Sequence, residues 1–404
     1  MTLEYSSISK ELTSKLSKVE KKNNGIYFTP PSCINNNIKL LEPYMKNIIK
    51  VLEPCCGSCE YINALSKSYP HLFISGIEYN ETIYNAILQF TNDKITIEKK
   101  DFLKYETDKT YDLIIGNPPF FVMKKDDVPK SYYKYFEGRP NIFILFIIKS
   151  IKMLSANGIL SFILPKNFLN CLYYDKTRKY IGKCFHILNI VECSDDKYID
   201  TQQDTILLII QKNDKPNNSA FILEINDYTI FACQNNCEKI KELYNNSKSL
   251  LELGFKVSVG NVVWNQCKTL LTDDINKTRL IYSSDITNNT LLFKKYSNEH
   301  KKNFINRKGI TGPMIIINRG YGVGEYKFNY CLIDEPTEYL IENHLICIEY
   351  KNKNELTHDK LIELYKKIIV SFKDKRTSEF IAIYLGNNAI NTCELNNILP
   401  IYII

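Results

Sequence analysis

The sequence predicts an α/β protein: a doubly wound, mostly parallel sheet followed by a second domain of different character. Three observations carry that prediction. Seven short apolar runs alternate with helix-like segments between about residues 49 and 212. The runs are near-continuously apolar, as strands covered on both faces must be. At 404 residues the chain is long enough for two separate cores.

In chain order, residues 1–24 come first. Tyr5, Ile8, Leu12, Leu16 and Val19 recur at helical spacing, which predicts one amphipathic helix. The segment lacks the apolar core of a secretory signal. The strands are expected at 49–53, 72–78, 95–101, 111–117, 159–165, 186–192 and 204–211. Helices are expected between them, at 59–68, 81–90 and 141–154. The polar break 212-KNDKPNNS-219 marks the expected boundary, leaving a first domain over 25–213 and a second over 218–404. Beyond it, 309-GITGPMIIINRGYGVGEYKF-328 reads as strand, glycine-rich turn and strand. A helix follows at 360–372, and the apolar ending 397-NILPIYII-404 should pack back on the body.

Composition narrows the class. The chain is 44% hydrophobic and 24% charged, with no apolar run approaching the roughly 20 residues of a membrane span. A cytoplasmic protein is expected. A net charge of +7 permits a polyanionic partner without requiring one. The thirteen cysteines form no small-domain disulfide framework and should be reduced. Cys55, Cys56 and Cys59, like Cys233 and Cys237, lack a matching second pair, so no metal is assigned.

In open α/β sheets ligands bind at the carboxyl ends of the strands. Those ends are unusual here. The first runs into 51-VLEPCCGSCEY-61, a small-residue turn before a helix, with Glu53 at the tip; it is not the G-x-G-x-x-G fingerprint. The second ends in Glu78, suited to ribose hydroxyls. The third ends in Asp101 and Phe102, suited to an exocyclic amino group and a purine face. The fourth ends in 117-NPPF-120. Three acidic tips beside an aromatic suit an adenosine-bearing ligand without a pyrophosphate.

With these residues in view, the chain resembles the adenine-N6 DNA methyltransferases of type II restriction-modification systems. Asn117, Pro118, Pro119 and Phe120 match the family's (D/N/S)-P-P-(Y/F/W) catalytic motif. Glu53–Cys59 is similar to its cofactor motif (D/E)-P-x-x-G-x-G, and 25-GIYFTPP-31 to the motif covering the methionine end of the cofactor. Their order is that of the gamma class. The resemblance implies a Rossmann-like, S-adenosylmethionine-dependent methyltransferase domain with a C-terminal α+β target-recognition domain. It implies S-adenosyl-L-methionine held by Tyr27, Thr29, Pro30, Glu53, Pro54, Cys55, Gly57, Glu78, Asp101, Phe102, Asn117 and Phe146. Double-stranded DNA is the implied partner. Cleavage, in such a system, belongs to a separate cognate restriction endonuclease. One catalytic and one recognition domain permit a monomer. The family has Gly where this chain has Cys59, which predicts weakened cofactor binding.

The motif fits the chemistry. An adenine amino nitrogen has its lone pair delocalised into the ring. The carboxamide oxygen of Asn117 and the carbonyl of Pro118 can draw its hydrogens out of plane, and proline fixes that carbonyl. Phe120 can stack on the base, which must be flipped from the duplex. The resemblance implies a second aromatic clamp, and Tyr198 is placed for it. Lys124 and Lys125 are placed to touch phosphate. In the second domain, Arg319, Tyr321 and Lys327 are the candidates for DNA contact. The tetrapeptide also occurs in enzymes that modify protein glutamine or RNA adenine. A DNA-binding specificity protein with an inactive cofactor site is the third alternative.

Overall fold

The computed structural model describes residues 4–193, 198–200, 203–213, 216–319, 327–385 and 389–403. The chain divides into two compact units, Met1–Cys237 and Glu238–Ile404. The first therefore extends past the polar break at 212–219 and takes in a hairpin of Ile222–Ile225 and Tyr228–Phe231.

The first unit is a seven-stranded sheet. Its strands are β1 (Lys50–Glu53), β2 (Phe73–Glu78), β3 (Ile95–Lys99), β4 (Tyr111–Gly116), β5 (Leu154–Pro165), β6 (Phe185–Glu192) and β7 (Thr205–Lys212), in the order β3-β2-β1-β4-β5-β7-β6. All seven expected runs form strands. β7 alone is antiparallel to its neighbours β5 and β6. Strand order reverses between β1 and β4, which opens a crevice at their carboxyl ends.

Alternation along the strands feeds two cores. Leu52, Ile114, Leu160 and Phe162 face one side of the sheet. There they pack with α6 (Ile142–Lys152) and α7 (Asp175–Cys184). Val51, Leu113, Ile115 and Ile163 face the other. They pack with α1 (Ser7–Lys15), α3 (Pro31–Leu41), α4 (Glu60–Ser68) and α5 (Glu81–Ile87). Nearly every residue of α6 is buried, which is why its sequence is apolar all round.

One expectation is corrected. The N-terminal segment forms two helices, α1 and α2 (Lys18–Asn24), not one. Ser17 competes with helix continuation: its hydroxyl accepts from the Glu20 backbone N–H at 3.1 Å and starts a new helix. Leu16 turns extended and stays buried, while Val19 falls off the apolar stripe and is 69% exposed.

The second unit is α+β. One antiparallel sheet joins Phe255–Val259, Leu345–Tyr350, Met314–Asn318 and Tyr330–Ile333. A second joins four shorter strands, among them Thr278–Ile281 and Tyr339–Ile341. The strand after the glycine-rich stretch thus begins at Tyr330, later than the sequence suggested. Helices His358–Lys373, Lys375–Tyr384 and Thr392–Asn397 follow. The C-terminal run packs back as expected: Ile401 bridges Lys248, and the Tyr402 hydroxyl donates to the Leu243 carbonyl at 2.7 Å. Among the described residues no helix is long and apolar enough to cross a membrane.

Candidate active site

A cleft of about 330 Å³ opens at the carboxyl ends of β1 to β4, within the roughly 300–1,000 Å³ range of ligand pockets. Tyr27, Pro54, Cys55, Gly57, Glu78, Asp101, Phe102, Asn117 and Phe146 all line it. A smaller cavity of about 30 Å³ is lined by Thr29 and Glu53, and shares Tyr27, Cys55, Gly57 and Asn117 with the cleft. Residues far apart in sequence are brought together because Glu53, Glu78, Asp101 and Asn117 end or follow neighbouring strands, while Tyr27 and Thr29 come from the segment before α3 and Phe146 from α6.

The turn after β1 is tied to the end of β2. Cys56 N–H donates to the Ile77 carbonyl at 2.9 Å. Gly57 N–H donates to one Glu78 carboxylate oxygen at 2.9 Å, and Asn80 N–H to the other at 2.7 Å. Burial raises the Glu78 pKa, and these backbone donors offset part of the rise. Gly57 takes φ +48°, a left-handed conformation that glycine adopts without strain.

Cys59 also lies in the left-handed region, at φ +62°, as the helix-start residue of α4. A non-glycine residue there is uncommon and costs roughly 1–2 kcal/mol. Its side chain is fully buried in the core on the α4 face and lines neither cavity. The replacement of glycine is therefore absorbed as backbone strain and core packing; it does not fill the cleft.

Glu53 is 4% exposed, and one of its carboxylate oxygens, Oε2, has no hydrogen-bond partner. Burial pushes its pKa well up, and the neighbouring Cys59 and Glu78 push it further. An unpartnered carboxylate oxygen beside a small cavity is suited to a cationic amine. In the cleft Phe102 and Phe146 lie 5.0 Å apart with planes tilted by 38°. The Lys149 ammonium lies over Phe102 at 5.4 Å and donates to the Leu103 carbonyl at 2.9 Å, bracing that pair. Asp101 accepts from the Leu103 N–H at 3.0 Å.

Asn117 follows β4. Its side-chain nitrogen donates to the Tyr27 carbonyl at 3.3 Å and the Thr29 hydroxyl at 3.2 Å. A carbonyl only accepts, so the amide orientation is chemically assigned. Its oxygen Oδ1 is left buried without a partner. Pro119 lines the cleft, and Pro118 is buried. Phe120 is half-buried and meets Phe143 edge to face, centroids 5.9 Å apart.

Other expected residues lie elsewhere. Pro30 lines neither cavity; it precedes α3 and is buried. Tyr198 is not at the cleft: its hydroxyl is buried among Cys33, Cys193 and Thr205. Arg319 and Lys327 are exposed on either side of residues 320–326, and Tyr321 lies outside the described residues.

Several lining residues were not singled out by sequence reasoning, although Gly25 and Phe28 lie within the 25-GIYFTPP-31 motif. Gly25 ends α2 at φ +64°; a Cβ there would lie 2.8 Å from the Phe120 nitrogen and 3.0 Å from the Pro119 Cβ. The Phe28 ring packs 3.7 Å from the Cβ position of Gly57 and touches both cavities. Tyr79, 69% exposed, stands beside Glu78. An exposed aromatic directly after an acidic strand tip is the signal that would have found it.

The known proteins that this chain resembles in sequence are methyltransferases. Residues 12–199 match the model of the Eco57I restriction-modification methylase family. The chain is 28% identical over 388 residues to the type II methyltransferase M.CvrRI of Paramecium bursaria Chlorella virus XZ-6E, covering 94% of this chain and 95% of that one. It is 25% identical to the modification methylase CviBIII of Paramecium bursaria Chlorella virus NC1A, covering 98% of each. In fold it is similar along 95% of its length to the DrdV chain of a DNA complex, with a TM-score of 0.52, 13% identity and 57% of that chain covered. Fold, cleft and relatives define the class: a Rossmann-like, S-adenosylmethionine-dependent methyltransferase domain, similar in sequence to type II and modification methylases.

S-adenosylmethionine fits the residues present. The free oxygen of Glu53 suits its ammonium, the fixed carboxylate of Glu78 its ribose hydroxyls, and the Phe102–Phe146 wall its adenine. When bound, it supplies an electrophilic methyl group on a sulfonium.

Proposed function

We propose that this chain is a site-specific DNA methyltransferase acting on the N6 amino group of an adenine flipped out of double-stranded DNA. On this reading residues 25–213 carry catalysis and residues 218–404 read the target, with Arg319, Tyr321 and Lys327 at or near the DNA. The observation that carries the reading is the Asn117 amide. Its nitrogen is engaged by Tyr27 and Thr29, so its buried oxygen is held free as an acceptor.

An adenine N6 group placed there would donate one hydrogen to Asn117 Oδ1 and the other to the Pro118 carbonyl. Both acceptors are fixed before substrate arrives, so they stabilise positive charge growing on nitrogen without reorganisation. Phe120 supports the base face. Position and orientation supply the remainder. Near-full-length similarity to named type II and modification methylases supports DNA as the substrate class.

The test is transfer of labelled methyl groups from S-adenosylmethionine to unmethylated mixed-sequence duplex DNA, with Asn117→Ala in parallel. Label on adenine at one short recurring site, lost in the variant, is expected. Label on RNA or protein glutamine instead, or on another base, overturns the reading.

A further inference from the structure

Behind Phe120 the chain makes a closed loop. Phe121 carbonyl accepts from Ile142 N–H at 2.9 Å, Met123 N–H donates to the Pro140 carbonyl at 2.8 Å, and Val122 bridges Asn141. These bonds form a neck that returns the chain to α6. Val128, Tyr135 and Phe136 are buried, so the loop is a packed element. Phe121, Met123 and Ile142, at the neck, also line the cofactor cleft. Whatever the neck displays outward is thereby held in fixed relation to the reacting centre.

Outward it displays cations. Lys124, Lys125 and Arg139 are exposed beside the neck, with Lys130 and Lys134 further round the loop. Of the loop's acidic residues, Glu137 is engaged by Lys176 at 3.1 Å, and Asp126 and Asp127 are exposed directly after Lys125. None of the five cations forms an ion pair among the described residues. The Lys125 ammonium lies 4.9 Å from the Tyr133 ring centroid, and the Tyr133 hydroxyl donates to the Lys125 carbonyl at 2.9 Å, which orders that side chain. Tyr173, 59% exposed, packs on Gly138, where a Cβ would sit 3.2 Å from its ring.

We propose that Lys124, Lys125 and Arg139 grip the sugar-phosphate backbone of the duplex beside the flipped nucleotide. This rests on the reading above and adds a phosphate clamp within the catalytic unit, separate from the recognition residues. A duplex carries about one charge per 1.7 Å of axis, and cations without carboxylate partners are free to replace its counterions. An arginine fork can engage phosphate oxygens in a bidentate manner. Such contacts fix register and orientation but carry no sequence information.

The test measures binding of fluorescent mixed-sequence duplex DNA to the full chain across a salt series. Wild type is compared with a Lys124→Gln/Lys125→Gln/Arg139→Gln variant. A Lys46→Gln/Lys67→Gln/Lys109→Gln variant changes exposed lysines at the amino-end edge of the sheet and controls for net charge. The slope of log affinity against log salt should fall by about 1 for each phosphate contact removed. The control should keep a slope near wild type, and S-adenosylmethionine affinity should hold in all three. A clamp variant indistinguishable from the control overturns the proposal and leaves the functional reading standing. Wild type that binds S-adenosylmethionine but no duplex DNA overturns the functional reading, and the clamp with it.

Discussion

The side-chain nitrogen of Asn117 donates to the hydroxyl of Thr29 at 3.2 Å, across 88 residues of sequence. That bond joins the segment over the cleft to the end of β4. The companion bond to the Tyr27 carbonyl, which can only accept, settles which end of the amide is free. Removing the hydroxyl without changing the shape is therefore informative. In Thr29→Val the Tyr27 carbonyl remains as a weaker anchor, and the Asn117 oxygen loses part of its orientation. One hydrogen bond is worth about 1 kcal/mol, so kcat should fall roughly five- to tenfold. Single-turnover methyl transfer with saturating cofactor measures it; an unchanged rate would mean that Thr29 does not position Asn117.

Asn117→Ala removes the acceptor itself. Loss of one preorganised polar group at a reacting centre costs on the order of 10²–10³ in rate. Cofactor affinity, measured by calorimetry, should change only a few-fold, because Glu53, Glu78 and the Phe102–Phe146 wall remain. A variant that loses binding and rate together would make Asn117 a cofactor ligand only.

Gly25 presses on the same loop from the other side. An alanine there would place its Cβ 2.8 Å from the Phe120 nitrogen and keep φ at +64°. Backbone, not a flexible side chain, would have to move. Gly25→Ala should destabilise the protein by about 1–3 kcal/mol and weaken cofactor binding. Thermal unfolding and cofactor titration read the two effects. A variant as stable and as tight as wild type would show that Pro119–Phe120 yields easily.

Much of this was legible before the fold was known, for a physical reason. Strands buried on both faces must be continuously apolar, so runs such as Leu113–Ile115 declare themselves. Their ends then carry the polar residues that meet ligand. Gly25 and Phe28 gave no such signal, because their importance lies in a long-range approach to Phe120 and Gly57. The split between α1 and α2 turned on one hydroxyl, Ser17, outweighing helical spacing. The second unit was least legible. Its pairing Arg279↔Tyr339 spans 60 residues, and several of its strands are only two to four residues long, too short for periodicity to show.

The remaining prediction concerns pH. Burial raises the Glu53 pKa well above the ordinary carboxylate range, and one oxygen of the side chain is unpaired. A cationic amine binds the ionised form, so binding must displace the proton wherever the free protein holds one. Affinity for S-adenosylmethionine is then complete above the raised pKa and declines as pH falls through it. It declines by up to about tenfold per pH unit, beginning above the pH at which an exposed glutamate protonates. The same linkage acts on folding. The native state holds the proton more tightly than the unfolded chain, so Glu53 costs stability as pH rises from the unfolded pKa toward the raised one. Glu53→Gln removes both effects: the variant should bind cofactor more weakly at neutral pH, with a flatter pH profile, and lose no stability over that window. Calorimetric titration from pH 5 to pH 8, wild type against variant, separates these slopes. Parallel profiles would assign the pH dependence to another group, with Glu78, also raised by burial, the next to substitute.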